Sequence, residues 1–178
     1  MRTIILLLCA TLFIGCSSTK NTIGSIEQAE MLDGMMNQKA FTINSRSASP
    51  VNSTGASQRW GATSSSYLNN SNYINLTDNA NYFKLDGDQV SIDLPYFGNR
   101  VLGSINNGND NAIKFEGVPR KMKITHDEDK KRYRINLEIK KNIEVYTINV
   151  TLNSNLTSQI DVNSTHRSAI AYKGTVKE

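Results

Sequence analysis

Cysteine is nearly absent from this chain, and its placement excludes more than its scarcity does. Among 178 residues only Cys9 and Cys16 are cysteines, both near the start. The body of the chain therefore has no thiol for a disulfide, a thiolate nucleophile or a cysteine-based zinc site. Its stability has to come from burial. Histidine is as scarce, with only His126 and His166, and no zinc spacing, phosphate loop or nucleophile elbow is present. An excess of one charge is missing too: 20 Lys and Arg stand against 16 Asp and Glu, a net charge of +4. That is too small to imply a nucleic-acid partner. The apolar run Ile4-Ile5-Leu6-Leu7-Leu8 is too short to span a bilayer as a permanent helix.

What is there begins with an address. Arg2 followed by that apolar run reads as a secretory signal peptide over residues 1–15. The stretch Leu12-Phe13-Ile14-Gly15-Cys16 resembles the bacterial lipobox, in which the signal is cut before the cysteine and the cysteine is lipidated. The membrane is thus the expected partner, through a lipid on Cys16. Residues 16–24 then form the lipidated cysteine and a tether. Ser17, Ser18, Thr19 and Lys20 include no acid, unlike known surface-export tags, which points to an outer-membrane anchor facing the periplasm. The remainder, 25–178, is long enough for one domain with its own core.

Ser25-Ile26-Glu27-Gln28 has the form of a capping box. Ile26, Ala29, Leu32 and Met36 follow at helical spacing, predicting one amphipathic helix to about Gln38. The stripe Met31, Leu32, Met35 and Met36 is expected to dock it on a sheet. A first strand is predicted over 40–44. Residues 45–72, almost all Ser, Asn, Thr, Gly and Ala, are too polar to offset their ordering entropy and predict a mobile loop.

Beyond it the pattern changes to period two. Val90, Ile92 and Leu94 alternate with polar residues, as do Tyr133, Ile135, Leu137 and Ile139, then Tyr146, Ile148, Val150 and Leu152. Such alternation marks antiparallel strands with one buried face. Turn chemistry separates them, as at Asp86-Gly87 and Asn153-Ser154-Asn155. The expected fold is mainly β: an antiparallel meander curling into a partly closed barrel, with the N-terminal helix over its open side.

Specific phrases carry a family resemblance. Leu85-Asp86-Gly87-Asp88, Val90-Ser91-Ile92-Asp93-Leu94-Pro95-Tyr96-Phe97-Gly98 and Asn163-Ser164-Thr165-His166-Arg167-Ser168-Ala169-Ile170-Ala171-Tyr172-Lys173-Gly174 resemble the family catalogued as domain of unknown function 4251. The resemblance covers nearly all of the chain after the tether. It implies a shared β-rich fold among small secreted or lipid-anchored envelope proteins. It implies no activity, and so no catalytic or binding residue.

Two candidate sites stand out. Leu94-Pro95-Tyr96-Phe97-Gly98 sets two aromatics between a strand-ending proline and a glycine. Tyr96 and Phe97, with the inward-parity Tyr172, are candidate ligand-binding residues at a barrel mouth; the plainer alternative is that Tyr96 and Phe97 plug the barrel end. The second is a basic hairpin on which Lys121, Lys123, Arg132 and Arg134 share the outward parity, a candidate surface for anionic lipid headgroups or acidic envelope polymers. Its alternative is a solvated face with edge lysines that deter aggregation. Asp86 and Asp88 read as turn residues, too few for calcium. Neither histidine has a third group singled out to orient it, as nucleophilic catalysis requires.

The expectation is a non-enzymatic, lipid-anchored envelope protein without cofactor that binds a small ligand or an envelope protein. The alternatives are a hydrolase acting on envelope material and a purely structural outer-membrane lipoprotein. The anchor is directly testable. Cys16→Ala should release the protein from the membrane fraction or trap the uncut precursor, read by fractionation and intact mass. A normally processed mutant that still pellets with membranes would refute the lipobox.

Overall fold

Period-two alternation becomes strand throughout, and capping chemistry becomes helix. The structure, a computed structural model, describes residues 24–51, 73–100 and 112–178. Helix α1 (Ile26–Gln38) precedes β1 (Ala40–Pro50), β2 (Ile74–Asn75), β3 (Tyr82–Asp86), β4 (Gln89–Pro95) and β5 (Ala112–Gly117). Then come β6 (Lys121–Asp127), β7 (Arg132–Lys141), β8 (Glu144–Asn153), β9 (Thr157–Ser164) and β10 (Ile170–Lys177). All pair antiparallel in one sheet of order β5-β4-β3-β1-β10-β9-β8-β7-β6, with β2 as a side branch on β1. The sheet curls into a half-barrel, as the alternation predicts.

Chain length dictates the curl. Strands β5 and β6 lie at opposite ends of the sheet order, yet only Val118, Pro119 and Arg120 separate them. Laid flat, a nine-strand path would hold its outermost strands about 38 Å apart at 4.8 Å per strand. The link from Gly117 to Lys121 reaches about 14 Å at most. The two edges must therefore come round to meet.

The inward residues fill the half-barrel with apolar side chains, among them Phe41, Ile43, Leu85, Ile92, Ile135, Ile148 and Ile160, each at most 2% exposed. The helix covers one end. At its start Ser25 Oγ accepts from Gln28 N–H at 3.2 Å while Gln28 Oε1 accepts from Ser25 N–H at 3.1 Å, the expected capping box. It stops at Lys39, whose backbone is left-handed (φ 50°). Gly24 N–H donates to Ser154 Oγ in the β8–β9 turn, and Gly87 N–H in the β3–β4 turn donates to Lys39 O. The helix therefore spans the end formed by those two turns. Leu32, Met35 and Met36 point inward. Met31, expected on the docking stripe, is instead 45% exposed, and Ile26, first in the helical spacing, is 79% exposed.

The polar run predicted as loop over 45–72 begins instead as strand, and β1 continues to Pro50. Composition misleads here because backbone pairing orders these small residues and buries Ser45, Ser47 and Ala48: Ala48 sits between Tyr172 of β10 and Ile74 of β2. An extra residue, Arg46, makes a bulge opposite β10. Between the last β3 partner and the first β2 partner, Ser45 would lose its ladder bonds on one side. The Asn81 carboxamide supplies them, accepting from Ser45 N–H at 2.9 Å and donating to Ser45 O at 3.0 Å. The rest of the predicted loop, 52–72, lies outside the described residues.

Register gives a direct stability test. Leu137 and Ile148 are directly paired and 2% and 0% exposed, whereas Asn136 and Asn149 pair on the outer face through a side-chain hydrogen bond. Leu137→Ala or Ile148→Ala should each cost about 2–5 kcal/mol in urea unfolding, from lost transfer energy and an unfilled cavity. Asn136→Ala should change stability by no more than about 0.5 kcal/mol. Equal losses at inward and outward positions would contradict the register.

Candidate functional site

At the end away from the helix, strands stop without a ladder to continue them. There β4 ends at Pro95, β7 turns into β8 at 142–143, and 165–169 connect β9 to β10. Carbonyls released from the sheet need donors if they are buried. The sequence supplies them from two motifs far apart in the chain.

From the first motif, Tyr96 turns inward and is 7% exposed. Its hydroxyl lies 2.9 Å from Asn99 O, 3.0 Å from Ser168 O and 2.9 Å from Ser168 Oγ. Gly98 fits beside it only without a side chain, since a Cβ there would stand 2.3 Å from that hydroxyl. From the second motif, Tyr172 on β10 donates its hydroxyl to Pro95 O at 2.9 Å. Ser168 and Asn99 exchange further bonds, and Arg100 bridges Arg167 in a short antiparallel contact.

Arg167 is the centre of this frame. Its side chain is 5% exposed and donates Nε–H to Glu144 Oε1 at 3.1 Å, with Nη1 3.5 Å from Ala112 O. The guanidinium carbon lies 5.2 Å from the Tyr96 ring centroid and 5.9 Å from that of Tyr146. Such stacking adds roughly 0.5–2 kcal/mol, more as water is excluded. Glu144 also accepts from Ser164 Oγ and bonds the Tyr146 side chain. Burial pushes the Glu144 carboxyl up, but the hydrogen bonds from Ser164 and Tyr146 and the Arg167 charge outweigh it and hold the group below its ordinary range. Burial raises the Tyr172 phenol far above its ordinary value.

The family model for a domain of unknown function, DUF4251, matches residues 25–176. The chain belongs to the DUF4251 family. The crystal structure of a DUF4251 family protein from Bacteroides eggerthii DSM 20697 is similar to it, with a TM-score of 0.54 and 12% identity. That likeness covers 84% of this chain and 87% of the other, and it carries the fold. No curated protein matches. In this DUF4251 domain two of the motifs that carried the resemblance, Val90 to Gly98 and Asn163 to Gly174, meet in one frame.

Of the residues singled out by sequence, Tyr96 and Tyr172 are brought together, joined through Pro95. Phe97 is turned out, 43% exposed, so it does not plug the barrel end. The basic hairpin lies elsewhere, on the outer face of β6 and β7, and is substantially neutralised. Lys121 pairs with Glu138 at 3.3 Å, while Arg132 and Arg134 pair with Asp127 at 3.1 and 3.5 Å; Lys123 stands exposed among them. Cys16 lies outside the described residues. His166 Nδ1 lies 2.7 Å from Thr165 Oγ1, and His126 stacks on Tyr133 with centroids 4.2 Å apart. Asp86 and Asp88 face Lys84 and Lys39. Sequence reasoning missed Arg167 and Glu144. Their signal was only that two hydroxyl- and aromatic-bearing motifs both terminate strands.

The ion pair yields a signed pH dependence. Glu144→Gln leaves a buried guanidinium without counter-charge and should cost about 3–5 kcal/mol at neutral pH. Because folding holds this carboxyl below its usual 4.5, the contribution is present above that pH and disappears as pH falls through the lower folded value. In urea unfolding the gap between wild type and Glu144→Gln should therefore close on acidification. A gap that stays constant would show that Glu144 is not the ionised partner.

Proposed function

We propose that this chain is a non-enzymatic cell-envelope protein, anchored through a lipid on Cys16, that binds an envelope partner through the rim opposite its helix. The anchoring half rests on the Ile14-Gly15-Cys16 junction, and the chain runs from that tether into the helix end. Among the described residues no helix is long and apolar enough to cross a membrane.

One observation carries the binding half. Around the Arg167 frame the rim leaves Val51, Tyr73, Phe97 and Ile143 between 43% and 68% exposed. Backbone hydrogen bonds tie the segments that carry three of them to the frame. Val51 N–H donates to Ala169 O, Thr165 pairs with Val145 two residues beyond Ile143, and Ser168 bonds Asn99 two residues beyond Phe97. Large apolar residues gathered around a rigid polar frame are interface chemistry.

Native mass spectrometry of the protein extracted from its own envelope tests this. The wild type should retain a bound mass, and Phe97→Ser/Ile143→Ser should lower its occupancy about ten-fold, the scale of losing a buried apolar contact. Both residues being exposed, stability should move by only about 0.5 kcal/mol per site. Undiminished occupancy in the variant would refute the rim as the binding surface.

A further inference from the structure

Strand β6 is outermost on its side of the sheet and bonds to β7 alone. The one further backbone bond at its start, from Arg120 N–H to Glu138 O, also goes to β7. Among the described residues, the N–H and C=O groups on its other side have no backbone partner, and such a row can pair with another strand. The inner face shows the same gap in side chains. Ile135 on β7 and Ile148 on β8 are 0% exposed, whereas Met122 and Ile124 on β6 are only partly buried. Each has a cross-strand neighbour on one side only. Folded proteins usually guard an edge of this kind. Here the register with β7 is unbroken from Lys121 to Asp127, so no bulge turns the strand away. No proline interrupts it, and its inner-face positions are Met122, Ile124 and His126. The β5 edge differs, being six residues long with Arg167 Nη1 reaching its first carbonyl, Ala112 O. The guard that β6 does carry is Lys121 and Lys123 on the outer face. Lys121 shares Glu138 with Arg120, but Lys123 pairs with no carboxylate among the described residues.

We infer that β6 accepts an added strand from another protein, an extended segment with apolar residues at alternate positions and an acid facing Lys123. This site is separate from the rim and does not depend on it. The unpaired main-chain row recognises a main chain, Met122 and Ile124 receive the apolar side chains, and Lys123 selects a carboxylate. A second copy of this chain fits worse. Antiparallel pairing about the middle of β6 sets Lys123 beside the copy's Lys123, and like charges across a strand pair are destabilising. The acid on that strand, Asp127, is already held by Arg132 and Arg134. Glycans and lipids present no strand to pair.

Photo-crosslinking in the intact envelope tests this on the full chain. Benzoylphenylalanine is placed at Thr125 on β6 or, as control, at Thr147 on the interior strand β8; both are exposed on the outer face. The expected adduct forms from position 125 and not from 147, and its crosslinked peptide alternates apolar residues and carries an acid. In the purified adduct the β6 amides should exchange about ten-fold more slowly than in the free chain, as backbone pairing requires. Lys123→Glu should lower the adduct yield about ten-fold, while Lys123→Arg should preserve it. An adduct with a glycan, a lipid, a second copy of this chain or a peptide without the alternation overturns the inference. Unchanged amide exchange, insensitivity to Lys123→Glu, equal labelling from 147 or no adduct at all does the same.

Discussion

Three residues govern the architecture. Val118, Pro119 and Arg120 join strands that occupy opposite ends of the sheet order, and no flat or gently twisted sheet satisfies so short a link. Given that link, the interior becomes a single enclosed volume and alternate residues of every strand must be apolar. β1 and β10 pair directly, so the first and last strands of the domain are neighbours in the middle of the sheet. Neither half of the chain has a complete interior by itself. A domain with no cysteine beyond Cys16 can tolerate that because closure is built into chain connectivity.

Closing the sides leaves two ends, and they are closed by different physics. At one end the helix lays Leu32, Met35 and Met36 over the interior, with Tyr133 donating to Asp33 at 2.8 Å as a polar tie. That bond follows burial in pushing the Tyr133 phenol up to about 12, since ionising it would place charge beside a carboxylate. At the other end no helix is present among the described residues, and strand termini leave carbonyls facing inward. Tyrosine hydroxyls and one guanidinium answer those carbonyls, and Glu144 balances the guanidinium. A buried ion pair is weak evidence for stability in itself. Here it fixes the relative positions of β4, β8, β9 and β10 at the point where ladder pairing gives out.

The strands were legible because burial on one face imposes a period that sequence displays directly. Ile135, Leu137 and Ile139 could belong to no other element, and the Ser25–Gln28 capping box marked the helix start to the residue. The far end was legible only in pieces. Tyr96 and Tyr172 were visible as aromatics at strand termini, but Glu144 reads as one charge in a polar turn and Arg167 as one more cation. Their pairing depends on a register that brings the start of β8 beside the end of β9, and local pattern carries no trace of that. Ser45 to Pro50 failed for the opposite reason. Small polar residues signal loop by composition, yet backbone bonds to β10, β2 and the Asn81 side chain hold them as strand.

Tyr96 and Phe97 show how folding and binding separate at adjacent positions. After Pro95 the chain leaves the sheet, and one of the two rings must turn inward. The inward site is lined by the carbonyls of Asn99 and Ser168, which a phenol can answer and a phenyl ring cannot. Hydrogen bonding therefore commits Tyr96 to the frame and forces Phe97 outward. Gly98 permits the turn by keeping a Cβ away from the Tyr96 hydroxyl. The frame thus accounts for every residue of Leu94-Pro95-Tyr96-Phe97-Gly98 except the chemical identity of Phe97. An outward position asks only for solubility, and a serine or lysine would serve the fold better there. With Ile143 still more exposed across the same rim, the part of this end that stability leaves unexplained is the part that faces outward, where a partner would meet it.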